Sequence, residues 1–426
     1  MISSLISWSL KNRYVVLAMA AALLAWGFVN VQKNPIDAIP DLSENQVIVF
    51  TEWMGRSPQI IEDQVTYPLV SNLQGIPKVK NVRATSMFGM SFVYVIFEDN
   101  TDIYWARTRV LERLNYAQRL LPEGISPTLG PDGTGVGHVF WYTLDAKQMD
   151  LGEQRALQDW YIKLALQTVP GVAEVSSFGG FEKQYQLVLD PVKLQFYNVS
   201  LMDVMNTVKA ANNDVGGRKF EMSDMAYIIR GLGYVKNKED LESIAVGNYN
   251  GIPVRVKDIG TVQMGGDLRL GIFDENGQGE VVGGIVVMRY GENADKVITA
   301  VKEKMKEVEK GLPQGVTFKT GYDRSELIQA AIGNVKNKLV EEMIVVCVIV
   351  IIFLFHWRSA LSIIIQIPIT IAVSFILLNA VGLSSNIMSL TGIALAIGVI
   401  VDNGIIMSEN AYRHLAEYQQ QQSTKS

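Results

Sequence analysis

One carboxylate interrupts the most apolar part of this 426-residue chain. Within residues 388–410, MSLTGIALAIGVIVDNGIIMSEN, Asp402 is flanked on both sides by side chains fit for a membrane interior. A charged aspartate at the centre of a membrane helix costs roughly 2.5–3.5 kcal/mol on insertion scales, so such a group faces a bundle interior and marks an ion or proton path. At helical spacing Thr391, Ala394, Gly398, Asp402, Ile405 and Glu409 share one stripe. Ala394 and Gly398 are small enough to admit a neighbouring helix closely. The stripe is therefore expected to pack against another membrane helix, with Asp402 turned away from lipid. The chemistry this implies is proton relay, with Asp402 as the carrier and Glu409, two turns further on, as a proton-entry group. A structural acid paired with a cation from another helix is the alternative.

The other titratable groups form no second centre. His138 stands without a spaced partner, so a metal site there has no second ligand in the sequence. Glu98, Asp99 and Asp102 suggest a cation site, but a strand end followed by a helix cap explains them equally well. No nucleophile–base pair and no phosphate loop stands out, which argues against an enzyme. A net charge of −5, without a basic stripe, argues against nucleic acid as a partner. The single cysteine, Cys347, lies in an apolar run and excludes an intrachain disulfide. The 16 methionines fall mostly in apolar runs, where Met is ordinary filling.

Four apolar runs are long enough to position Asp402 in a bilayer: 14–31, 339–355, 360–381 with Pro368 inside it, and 387–410. The first follows Lys11 and Arg13, is flanked by Trp8 and Trp26, and reads as an uncleaved signal anchor. Lys11, Arg13, Arg358, Arg413 and His414 all fall on one side if the spans alternate, placing residues 1–13 and 411–426 in the cytoplasm. The intervening segment of roughly 300 residues then lies on the far side, the periplasm if the membrane is a bacterial inner membrane.

That segment repeats itself. Ile76-Pro77-Lys78-Val79 is echoed by Val169-Pro170-Gly171-Val172, and Leu121-Pro122-Glu123-Gly124 by Leu312-Pro313-Gln314-Gly315. Around the first copy the patterning predicts strand 46–53, helix 57–73, strands 79–86 and 92–98, helix 102–120 and a strand near Ile125. This is the βαββαβ order of a split βαβ, ferredoxin-like unit, assigned to residues 32–135. A second copy is assigned to 136–180 and 280–338, with strands 139–144, 172–178, 281–288 and 316–320 and helices 153–168 and 294–310. Residues 181–279 form an insertion, in which Asn212, Asn213, Gly216 and Gly217 lie in a turn-rich stretch suited to a protruding arm or a surface loop. The fold class expected is an α+β membrane protein with four transmembrane helices and two ferredoxin-like subdomains.

In layout and wording the chain resembles the resistance-nodulation-division efflux transporters, and most closely their heavy-metal efflux subfamily of the copper/silver pump type. The likeness runs from Asn34-Pro35-Ile36-Asp37-Ala38-Ile39-Pro40-Asp41 through Val65-Thr66-Tyr67-Pro68, Phe97-Glu98-Asp99 and Tyr104-Trp105-Ala106-Arg107 to residues 391–410. The resemblance implies a proton-driven homotrimer with no bound cofactor, its cargo a metal ion and its coupling ion the proton. It implies that the two repeats are porter subdomains and the insertion a docking domain whose arm at Asn212, Asn213, Gly216 and Gly217 enters a neighbouring protomer. A periplasmic adaptor and an outer-membrane channel are the implied partners. Family members are longer, internally duplicated chains, so this one corresponds to an N-terminal half. Met388 matches a metal-passing methionine of the copper/silver type, whereas the position two before the acid is Ile400, and Asn403 stands where some relatives carry a second acid. Two rival readings are an exporter of amphipathic organic compounds, using Phe140, Trp141, Phe178 and Phe181, and a membrane-anchored accessory protein that transports nothing.

Overall fold

The computed structural model describes residues 2–222, 225–269, 271–354 and 357–423. The chain divides into two compact units, one of Met1–Thr143, Ile162–Ser176 and Gly284–Ser426, the other of Leu144–Tyr161 and Ser177–Gly283. Residues 144–161, read from sequence as part of the second repeat, thus group with the insertion.

In the first unit, one four-stranded antiparallel sheet runs in the order Val79–Met87, Met90–Phe97, Gln46–Glu52, Thr128–Leu129. Successive residues of a strand point to opposite faces, so Val47 and Val49 join Val93, Val95 and Phe97 on one side. Two helical stretches cover that side with Ile61, Val65, Leu69 and Leu73 and with Ala106, Val110 and Leu114, each set at helical spacing. The opposite face, with Ile48, Phe50, Phe92 and Tyr94, is only half-buried. Pro58 opens the first helical stretch, where its missing N–H is no loss. Pro68 sits just after a π turn, Glu62–Thr66, which changes the hydrogen-bond spacing where proline cannot donate. Asp102 caps helix Ile103–Ala117, accepting a 2.7 Å hydrogen bond from the Trp105 amide, so the cap reading of that acid holds.

The second sheet runs Thr317–Asp323, Gly133–Asp145, Gly283–Arg289, Val172–Phe178. In both sheets the order is fourth strand, first, third, second, the split βαβ arrangement. Its first strand begins at Gly133, six residues before the expected 139. Gly283–Arg289 is central, and its Ile285, Val286, Val287 and Met288 are buried on both faces, which explains why it reads as an unbroken apolar run. Helix Ala294–Glu309 is capped by Asn293 and buries Val297, Ile298, Val301, Met305 and Val308.

Four long helices belong to the same unit: Arg13–Lys33, Arg324–Leu354, Trp357–Val381 and Ile387–Ser423. Among the described residues, Arg13–Lys33 and the Ile387–Tyr418 stretch are long and apolar enough to cross a membrane, and Ile365–Val381 forms a shorter apolar helix. The second helix begins at Arg324, fifteen residues before the expected span at 339, because Asp323 ends a strand and the helical pattern starts at once. The last helix continues through most of the tail expected at 411–426. Phe355, at the end of the expected second span, lies outside the described residues, as do Thr424, Lys425 and Ser426.

The second unit pairs Lys183–Leu189 with Gly260–Gly266 and Ala245–Tyr249 with Ile252–Arg255 around a core that includes Val204, Leu241, Val246, Val254 and Ile259. A further hairpin joins Val215–Met222 to Met225–Gly231. The turn expected over 212–217 is shorter than its composition suggested, since Gly216 and Gly217 lie inside a strand.

Candidate functional site

The helix carrying Asp402 starts at a reciprocal cap. The Asn386 carboxamide oxygen accepts from the Ser389 amide at 3.0 Å, and the Ser389 hydroxyl accepts from the Asn386 amide at 2.9 Å. From there the helix packs through Leu390, Ile393 and Ile397, which are buried, with Ala394 and Gly398 half-buried beside them. At 100° per residue Asp402 lies on another face, in line with Leu395 and Met388, which are 76% and 68% exposed. Asp402, Asn403, Thr391 and Glu409 are exposed, and among the described residues no side chain pairs with Asp402. The expected stripe is therefore split: its small residues border the packed edge, while its acids and Thr391 face outward. The sequence pattern missed this because the larger Leu390, Ile393 and Ile397 bury more apolar area than Ala394 and Gly398 and so set which edge packs.

The loop before this helix is clasped by the segment that follows the first long helix. Asn34 donates its side-chain N–H to the Ser385 hydroxyl at 2.8 Å, both residues being buried. Ile36 bridges Ser385 in parallel, the Ser385 amide donating to the Pro35 carbonyl at 2.8 Å and the Asp37 amide to the Ser385 carbonyl at 3.1 Å. Asp37 then meets Arg324, the first residue of helix Arg324–Leu354, at 3.3 Å. Arg324 is 3% exposed and directs its aligned hydrogen bond to the Val136 carbonyl of the second sheet. Burial pushes the Asp37 carboxyl above its ordinary value, against the pull of Arg324 and the Ala38 amide. Helix Arg13–Lys33 in turn lies against Trp357–Val381 so closely that a Cβ on Gly27 would stand 2.4 Å from the Ala372 Cβ. Asp402 is thus held on a helix whose start is tied to two other helices and a sheet. Sequence reasoning used Asn34 and Asp37 only as markers of resemblance. The signal available was a polar Asn-Pro-Ile-Asp break directly after an apolar run.

The other expected groups are placed as follows. Met388 lies in the first turn of the Asp402 helix. Asn212 ends helix Leu201–Ala211 and its side chain accepts from the Val235 amide at 2.9 Å. Asp214 accepts from the Gly233 amide at 2.9 Å and pairs with Arg230, and these contacts, the Gly233 bond foremost, hold its carboxyl below the ordinary range. They fasten the base of the hairpin, along which Asn213, Gly216 and Gly217 are exposed and Phe220, Ile228 and Ile229 are 54%, 83% and 57% exposed. His138 is exposed, and among the described residues no three His, Cys, Asp or Glu side chains gather as metal ligands. Phe140 is 1% exposed within the second sheet's core, which removes it from any aromatic pocket for organic compounds.

Comparison with known proteins agrees with this architecture. The chain is 48% identical over 424 residues to the cation efflux system protein CusA of Escherichia coli strain K12, covering 99% of this chain and 40% of that protein. It is 47% identical over 421 residues to the putative cation efflux system protein SilA of Salmonella typhimurium, covering 98% and 40%. It is 37% identical over 429 residues to the cobalt-zinc-cadmium resistance protein CzcA of Cupriavidus metallidurans, covering 99% and 40%. The crystal structure of a heavy metal efflux pump, crystal form II, superposes with a TM-score of 0.86 at 32% identity, covering 96% of this chain and 41% of that one. The chain spans about 40% of the length of these curated relatives. Residues 5–426 match the family described as AcrB/AcrD/AcrF, and with that match over nearly its whole length the chain belongs to that family.

Proposed function

We propose that this chain supplies the N-terminal part of a proton-driven exporter of heavy-metal cations, copper or silver being the cargo its resemblance implies. The observation that carries the reading is Asp402, a carboxylate with no partner among the described residues, midway along an apolar helix that is clasped at its start. An anchor gains nothing from such a group, because an acid at that depth is costly unless it is used. Its outward face accords with partners supplied by the part of a full-length pump beyond this chain, where a cation approaching and leaving would take the proton on and off. Glu409, two turns further on, is the proton-entry group, and Met388, about 21 Å from Asp402 along the helix, a transient thioether ligand. The assembly is a homotrimer in a bacterial inner membrane, a multi-pass protein whose split βαβ units are porter subdomains in the periplasm. The hairpin at Asn212, Asn213, Gly216 and Gly217 reaches into a neighbouring protomer, where its exposed Phe220, Ile228 and Ile229 would be buried. A periplasmic adaptor and an outer-membrane channel complete the path.

Asp402→Asn in a full-length pump carrying this segment tests the relay. Asparagine keeps the size but neither charges nor releases a proton. The variant is expected to insert, trimerise and bind metal normally while proton-coupled export in proteoliposomes falls to background. Retained export would leave Asp402 a structural acid.

A further inference from the structure

The first sheet ends in a two-residue turn, Phe88-Gly89, between the paired residues Met87 and Met90. Met90 also pairs with Glu52 on the next strand, so Met87, Met90 and Glu52 form one row across three strands. Directly opposed residues share a face, with Cβ atoms roughly 4.5–5.5 Å apart. That face is the open one: Met90, Phe92 and Tyr94 are half-buried, whereas Ser91, Val93 and Val95 point into the core. Segment 53–56 is laid over the same turn, the Trp53 amide donating to the Gly89 carbonyl at 2.8 Å and the Gly89 amide to the Arg56 carbonyl at 3.0 Å. Gly89 has a φ of +71°, and a Cβ there would stand 3.0 Å from the Met54 sulfur. Three methionines and a glutamate are therefore brought to one turn, Met54 and Met87 being 47% and 50% exposed. The nearby cation, Arg56, is drawn aside over the Trp53 ring at 4.8 Å.

Apolar filling does not account for Met54 and Met87, whose side chains are left half in water. Thioether sulfur is a soft, uncharged donor that selects monovalent coinage-metal ions over hard or borderline divalent ones. Methionine's three rotatable bonds let sulfurs on neighbouring strands turn toward a common centre. We propose that Met54, Met87 and Met90 form a binding site for a soft monovalent cation, Cu(I) or Ag(I), with Glu52 balancing its charge. Binding at this turn requires no export, so the site stands or falls separately from the relay at Asp402.

The test uses the full chain in detergent micelles with 13C-methyl methionine, titrated with Ag(I). Single Met→Leu variants, close to volume-conserving, assign the resonances. The methyls of Met54, Met87 and Met90 are expected to shift together and saturate at one equivalent, while Met264, exposed in the strand Gly260–Gly266, does not follow them. Zn(II) should leave all three in place, and Met87→Leu should weaken Ag(I) binding at least tenfold as read from Met54 and Met90. The Asp402→Asn chain should titrate like the wild type. Shifts that occur independently at the three methyls, that match those of Met264, or that Zn(II) reproduces would overturn the site.

Discussion

Asp323 is the last residue of the second sheet, and the next residue begins helix Arg324–Leu354. Burial works against its charge, yet hydrogen bonds from Lys302 and Ser325 outweigh burial and hold the carboxyl below its ordinary 3.8. A carboxyl whose pKa falls on folding stabilises the fold above the unfolded value, and that stabilisation is lost as pH drops through the folded value. Asp323→Asn should therefore cost about 1–2 kcal/mol at neutral pH, screening at the half-exposed Lys302 keeping the loss small. The difference should vanish well below pH 3.8. Denaturant unfolding followed by tryptophan fluorescence between neutral and acid pH measures it, and a gap of equal size at both ends would show that the carboxylate's charge is irrelevant. Asp37 has the opposite sign. Its raised pKa means that the fold loses stability as pH rises from the ordinary value toward the folded one, so the Arg324 contact does not fully offset burial.

Among the elements, the contact between helices Arg13–Lys33 and Trp357–Val381 depends on the absence of a side chain at Gly27. Membrane helices gain little from hydrophobicity when they associate and rely instead on close packing of small residues. Gly27→Leu must drive the helices apart, since the first atom added would already overlap Ala372. A loss of about 1–3 kcal/mol follows from overpacking of this kind. It should appear as a lowered thermal midpoint in micelles, while Ala22→Leu, on an exposed face of the same helix, should leave the midpoint unchanged. Equal effects of the two would mean that the contact does not hold the helices. The two split βαβ units are related in the same concrete way: each has a π turn in its first helical stretch, at Glu62–Thr66 and Gln158–Ile162.

For the molecule as a whole, the positive-inside reading sets an orientation that labelling can check. With Cys347 replaced by alanine, Gln278→Cys lies at an exposed position of the second unit and His414→Cys at an exposed position near the chain's end. A membrane-impermeant maleimide added to spheroplasts should modify the first freely and the second only after permeabilisation. The reverse pattern, or equal labelling of both, would invert or abolish the proposed topology.

Periodicity, caps and turn residues act over a few positions, and they were sufficient to read the first three strands of the first split βαβ, though not its fourth, which is the short Thr128–Leu129 rather than a strand from Ile125, along with its Asp102 cap, the repeat at Ile76-Pro77 and Val169-Pro170, and the apolar setting of Asp402. The family could be read as well, because its wording is spread along the chain. What the sequence did not disclose depends on contacts between distant segments. The Asn34 bond to Ser385 spans 351 positions, and Arg324 reaches both Asp37 and Val136. Helical spacing placed Asp402 in line with Ala394 and Gly398 and so suggested that it was packed. Which edge of a helix is buried depends on the apolar area available on its neighbours, and only the tertiary structure, by burying Leu390, Ile393 and Ile397, turned the acid outward.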